Sequence, residues 1–278
     1  MQLRYLFILF CLLSSLNSRA HGDLHKRITN VTEEIQKNPD SAKLYFKRGK
    51  LYYQHNNYEN SLEDFKNAKK LGLQSAEQDF LIAKSNYHLE KYSKSKRLIK
   101  RILRKESINV RALKLLADIY FKKGGYKKSA LLYEEVIYNS KVTFPEYYLY
   151  ASQAWRAANT MDCFERSQSI LLKGLEKLGD IIVLYDQLIS NYIEIKDFNS
   201  AIKFQEKVIK MSNRKERAFL RLADIQIHKE LFNEAEISIT QAEENFKKLP
   251  HRIRNAKFMR EFYSELQLKK SSLKNRIR

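Results

Sequence analysis

Tyr52, Tyr53, Tyr58 and His55 fall inside the ten residues G-K-L-Y-Y-Q-H-N-N-Y, from Gly49 to Tyr58. Phenol rings beside an imidazole are the chemistry of a stacking or metal site, so it matters whether the cluster occurs once or recurs. A second stretch, K-Y-S-K-S-K-R-L-I-K-R-I-L-R-K from Lys91 to Lys105, holds eight basic residues and no acid. On a helix that turns Ile99, Ile102 and Leu103 inward, Lys94, Arg97, Lys100, Arg101, Arg104 and Lys105 form a cationic face. That face is either simply solvated or suited to an anionic surface. Catalytic signatures are missing: there is no glycine-rich phosphate loop, no H-E-x-x-H, no C-x-x-C and no G-x-S-x-G. The sequence therefore predicts a non-enzymatic protein with no cofactor.

The first twenty residues differ from the rest. M-Q-L-R is a short basic start, Y-L-F-I-L-F-C-L-L an apolar core, and S-S-L-N-S-R-A ends with small residues at Ser18 and Ala20. The apolar run is short for a membrane span, so residues 1–20 read as a cleaved secretory signal, with an uncleaved anchor as the alternative. Cleavage after Ala20 leaves 50 Lys and Arg against 32 Asp and Glu, a formal +18. It also leaves Cys163 as the one cysteine, so packing rather than a disulfide must hold the fold. The new terminus would read H-G-D-L-H, where a free amine, His21, Asp23 and His25 form a weak transition-metal candidate. No further ligand lies near it in sequence, and terminal segments usually fray.

The elements that position these residues come from a period. Aromatics stand at Tyr58, Tyr92, Tyr126, Phe164, Phe198 and Phe232, at spacings of 34, 34, 38, 34 and 34. Three residues after each comes a small one: Ser61, Ser95, Ser129, Ser167, Ala201 and Ala235. Nine residues before the first three stand Gly49, Ala83 and Ala117; Ala151 and Ala223 continue that series, and Ile189 departs from it. Only 7 Gly and 3 Pro are present among 278 residues, too few for an all-β chain, and Pro39, Pro145 and Pro250 fall between periods.

This pattern resembles the tetratricopeptide repeat, a 34-residue helix–turn–helix unit. The first repeat, Y-F-K-R-G-K-L-Y-Y-Q-H-N-N-Y-E-N-S-L-E-D-F, sets Tyr45, Gly49, Tyr52, Ser61 and Phe65 at the motif positions. Leu113, Ala117, Tyr120, Ser129 and Tyr133 do so in the third; Phe219, Ala223, Phe232, Ala235 and Ile239 do so in the sixth, where Gln226 does not fit. The expected fold is all-α: an α-solenoid of about six repeats over residues 41–249. A half-repeat helix at residues 21–40, with Ile28, Val31 and Ile35 inward, precedes it. A capping helix at 251–268 (Ile253, Met259, Phe262, Leu266 inward) and a frayed basic tail follow. Four extra residues between Trp155 and Phe164 either lengthen a helix or form a bulge.

The resemblance implies a concave groove lined by the first helix of each repeat, at its second, fifth, ninth, twelfth and thirteenth positions. The twelfth carries Tyr53, Tyr87, Phe121 and Trp155, followed by Ile193 and Ile227. The fifth and ninth add Phe46 with Lys50, Phe80 with Lys84, Lys114 with Asp118, and Tyr148 with Ser152. Aromatics interleaved with lysines suit an extended peptide carrying apolar and acidic side chains, unless the rings pack between helices instead. The family's carboxylate-clamp arrangement does not carry over, because Phe46 and Phe80 replace the polar partners and Asp118 would repel a carboxylate. The expected function is an exported interaction scaffold for a protein or peptide, in a bacterial periplasm or envelope. The alternative is a basic adaptor for an anionic polymer or membrane surface; nucleic acid is disfavoured for an exported chain. N-V-T at Asn30 is a glycosylation sequon that matters only in a eukaryotic secretory pathway.

Overall fold

A computed structural model describes residues 23–277. The expected signal segment and His21 lie outside the described residues. Every regular element described is a helix, and the chain divides into two compact units between Asn139 and Ser140. In the first unit, α1 (residues 23–37) precedes three hairpins: α2 (Ala42–Gln54) with α3 (Tyr58–Lys70), α4 (Ala76–His88) with α5 (Tyr92–Lys105), and α6 (Val110–Lys122) with α7 (Tyr126–Asn139). The second unit has α8 (Pro145–Ala158) with α9 (Cys163–Leu178), α10 (Ile182–Glu194) with α11 (Phe198–Met211), and α12 (Glu216–His228) with α13 (Phe232–Lys247). The one-turn α14 (His251–Arg254) and the long α15 (Lys257–Ile277) follow.

Local chemistry sets the ends of these helices. Asn57, Ser75, Asn109 and Asp197 each accept a hydrogen bond from the backbone N–H three residues on, satisfying donors that the first helical turn leaves open. Pro145 begins α8, where its missing N–H costs nothing. Five hairpins turn through one device. Asn56, Glu90, Gly124, Lys196 and Glu230 adopt φ between 56° and 74°, and the next N–H bonds back to the carbonyl of the residue five earlier, at 2.8–2.9 Å. That closure is the left-handed C-cap that ends a helix abruptly, and only one of the five uses glycine for it.

Small residues then let the paired helices touch. A Cβ on Gly49 would sit 2.7 Å from Phe65 Cε1, so glycine is required for the α2–α3 contact. Ser95 and Ser129 are fully buried and donate their hydroxyls to the carbonyls of Ala83 and Ala117 at 2.7 and 2.9 Å, so close packing leaves no orphan hydroxyl. Large apolar side chains fill the space between hairpins: Ile99, Ile102, Leu115 and Ile119 join α5 to α6. Each is stabilised by about 1.5–3 kcal/mol on full burial. Ile28, Val31 and Ile35 of α1 pack on Leu51, as a covering half-repeat should.

Two expectations are corrected. The C-terminal tail is not frayed: α15 runs to Ile277, Leu273 is buried, and Lys269 and Lys270 pair with Asp224 and Glu243 at 2.5 and 2.6 Å. The basic residues there are docked by acids on α12 and α13, which a local reading of charge does not see. The extra residues of the fourth repeat are also not confined to the stretch after Trp155. Relative to the third repeat, one lengthens the linker before α8, one lengthens α8, one lengthens the turn Asn159–Asp162, and one starts α9 early, at Cys163.

Candidate functional site

The first helices of the first unit, α2, α4 and α6, are neighbours, and they bring the predicted aromatics and cations together. Lys50 Nζ lies 4.7 Å from the centre of the Phe46 ring, one helical turn away. Lys84 on α4 reaches back to the Tyr53 ring of α2 at 5.1 Å, and Arg111 on α6 reaches the Phe80 ring of α4 at 5.3 Å. Each of Phe46, Tyr53, Phe80, Tyr87 and Phe121 is half-buried. A cation over a ring face is attracted by its quadrupole, by about 0.5–1 kcal/mol where the site is exposed.

The twelfth-position rings do two jobs. Tyr53 meets Tyr58 edge-on at 5.5 Å, Tyr87 meets Tyr92 at 5.6 Å, and Phe121 meets Tyr126 at 5.2 Å. Every one therefore packs against the first aromatic of its own repeat's second helix while keeping a half-open face. Tyr53 also shares a 3.1 Å hydrogen bond with His88 Nε2, and the His88 ring stacks on Tyr58 at 4.4 Å. Partial burial, and then the charge of Lys84, push the His88 imidazole below its ordinary value, so the ring is neutral at pH 7. Lys114 stands 3.0 Å from Asp118, and Asp118 also accepts from the Tyr133 hydroxyl, so its charge is compensated.

Arg111 and His88 join this face beyond the residues expected from the sequence, although the repeat pattern points to them. They occupy the second and thirteenth places of their helices, two groove positions for which no residues were chosen.

Tyr148 and Trp155 are corrected. They are 2% and 1% exposed, and Ser152 is fully buried, so none of them offers a surface. The reason is a slip of one residue. The tenth residue of each first helix is buried throughout: Leu51, Ser85, Ile119, Ala154, Asn191 and Ile225. Counted this way, the twelfth place of α8 is Arg156, not Trp155. A shift of one residue turns a side chain through about 100° around the helix, enough to move Trp155 from face to core. Arg156 takes the role of the rings, lying 5.8 Å from the Phe164 ring and pairing with Glu194.

The anionic-surface candidates lie on α5. Lys94, Arg97, Lys100, Arg101, Arg104 and Lys105 are all exposed, while Ser95, Ile99 and Ile102 are buried beneath them. Arg101 pairs with Asp79 at 3.1 Å. His25 is exposed on α1, and among the described residues no group of three or more His, Cys, Asp or Glu side chains converges on a metal position. No described helix is long and apolar enough to cross a membrane.

Residues 42–71, the α2–α3 hairpin with its following turn residue, match the family model of the tetratricopeptide repeat. Solved structures share the arrangement. The C-terminal part of a TPR repeat-containing protein from Cytophaga hutchinsonii aligns with a TM-score of 0.69 at 13% identity, covering 86% of this chain and 96% of that one. The fold is a tetratricopeptide-repeat α-solenoid. A tetratricopeptide repeat protein from Parabacteroides merdae aligns at TM-score 0.56 and 14% identity, over 91% of this chain and 96% of that one. MamA from Desulfovibrio magneticus gives 0.54 and 16%, over 64% of this chain and 96% of that one. No protein with a curated description matches the sequence.

Proposed function

We propose that this protein is a non-catalytic scaffold that captures a protein segment on the α2–α4–α6 face of its first unit. One observation carries the reading: five half-open rings from three neighbouring helices are interleaved with cations that lie over rings. Among the described residues no ion pair holds Lys84 or Arg111, so a carboxylate can draw them from the rings at little cost, while apolar side chains gain by covering the rings. Lys50 has a loose pairing with Glu77 at 3.7 Å, which an incoming acidic residue would replace. The ligand class is an extended peptide with alternating acidic and apolar residues. The likeness in fold to tetratricopeptide proteins supports this reading without naming a partner.

Export to a bacterial envelope belongs to the same proposal and rests on the apolar, basic-led first twenty residues. Cell fractionation with N-terminal sequencing tests it: a mature chain starting at His21 in the envelope fraction agrees, and an intact cytoplasmic chain does not. The groove is tested with a peptide array varying acidic and apolar content. Acidic–apolar peptides should bind the parent, and Tyr53→Ala/Tyr87→Ala/Phe121→Ala should lose at least tenfold affinity while keeping its helical circular dichroism. Equal binding by the folded triple variant sinks the assignment.

A further inference from the structure

We propose that one flank of α5 is a binding site for a linear, phosphate-bearing polyanion, separate from the peptide-binding face of the same unit. Lys96, Arg97, Lys100 and Arg104, with Ser93 and Leu103, line an open cleft of roughly 610 Å³ along this helix. From Ser93 to Arg104 the stripe runs eleven residues, about 16 Å at the helical rise, long enough for several successive phosphates.

Neighbouring elements add charge beside it. Tyr120 of α6 has Lys96 Nζ 4.3 Å from its ring centre and Lys128 of α7 at 5.8 Å. Lys123 donates to Ser93 Oγ at 3.4 Å. Burial alone would raise the Tyr120 hydroxyl, yet it is held below the ordinary phenol value by the hydrogen bond from Lys96 and the charges of Lys96, Lys100 and Lys128. The phenol thus reports a concentrated positive potential contributed by two helices.

The two flanks of α5 differ in how that charge is met. On one, Arg101 and Lys69 share Asp79 at 3.1 Å each, in a cleft that Glu106 also lines. On the other, no carboxylate pairs with Arg97, Lys100 or Arg104 among the described residues. Uncompensated cations need break no ion pair to meet an anion, and counterion release drives the association. The Ser93 hydroxyl and the lysine and arginine donors lining the cleft suit the several acceptor oxygens of a phosphate. A polymer fits better than a bilayer, because none of the exposed large apolar side chains lies on α5 to enter lipid.

The probe is inorganic polyphosphate of about 20 units, titrated against the full chain, with monophosphate and phosphatidylglycerol vesicles as separate arms. Polyphosphate should bind, with log K falling against log salt at a slope of about −3, as expected for four contacts on a flexible strand. Arg97→Gln/Lys100→Gln/Arg104→Gln should weaken it at least tenfold with helicity unchanged. Lys173→Gln/Lys203→Gln/Lys210→Gln removes the same charge elsewhere and should change it less than twofold. Equal losses in the two variants would reduce the effect to net charge and overturn the proposal. So would vesicle binding without polyphosphate binding, or monophosphate binding as tight as the polymer.

Discussion

The two units present the same set of helix faces with opposite chemistry. Along α2, α4 and α6 the face is built of rings, and cations rest on them. Along α8, α10 and α12 the rings give way to Arg156, Ile193 and Ile227, and several polar side chains are paired: Arg156 with Glu194, Arg221 with Asp186 at 2.6 Å and with Ser190 at 3.2 Å, and Gln153 with Gln187 at 3.5 Å. Asp224 is closed off by Lys269 of α15. Exposed ion pairs and exposed cation–ring contacts are each worth about 1 kcal/mol or less, so the difference lies in what is offered: the paired face presents carboxylates beside its cations, and the ring-lined face presents apolar surface. The contrast shows how one backbone serves either as a surface for a partner or as a closed one, with the choice made by a few side chains per helix.

The largest expected effect tests whether the ring-lined face depends on the packing beneath it. Gly49→Ala forces a Cβ to within 2.7 Å of Phe65, which is fully buried and cannot yield. It should cost about 2 kcal/mol, read as faster hydrogen exchange in α2 and α3. Unchanged exchange there would show that the contact relaxes freely.

Next comes the acid response of the ion-paired unit. Glu243 is held down at about 2 by hydrogen bonds from Lys247 and Lys270. A depressed carboxylate stabilises fully above its ordinary value of 4.5 and loses that contribution as pH falls toward 2. Acid should therefore release α13 and α15 by roughly 2 kcal/mol over that window, and Glu243→Gln should remove the pH dependence. A flat profile in the parent chain would contradict the pairing.

A smaller change treats both units alike. Glu90→Gly and Glu230→Gly each relieve a left-handed residue, at φ 56° and 63°, in equivalent turns. Each should stabilise by about 1 kcal/mol in thermal unfolding. A gain at one turn and a loss at the other would mean that the turns are not equivalent.

The smallest effect separates the faces directly. Lys84→Gln should weaken acidic-peptide binding about threefold, as expected for one exposed cation. Arg221→Gln on the paired face should leave it unchanged. Equal responses would erase the distinction between the two units.

The fold was largely legible because a repeat writes itself many times. The 34-residue spacing from Tyr58 to Tyr126 and from Phe164 to Phe232, with a small residue three places on, survives local noise. The ring positions in the first unit were legible for the same reason: its first helices start at Ala42, Ala76 and Val110, in strict register. Trp155 was placed wrongly because that register breaks before α8, and sequence spacing cannot say on which side of a residue an insertion falls. Three of the five left-handed turn residues, Glu90, Lys196 and Glu230, are types that do not announce such a turn; only Asn56 and Gly124 do.

The sequence by itself determined the helices, their pairing and the ladder of aromatics, because hydrophobic period and small-residue spacing are properties of the chain alone. Tertiary structure decided which side chains remain available. Trp155 went to the core, Asp224 was closed by Lys269, Lys84 came to rest on Tyr53, and one flank of α5 kept its charge unmatched while Asp79 met the other. Those outcomes depend on residues 22 to 45 positions apart, or on a one-residue change in helix phase. Distance of that kind is set by packing and is not written in any local stretch.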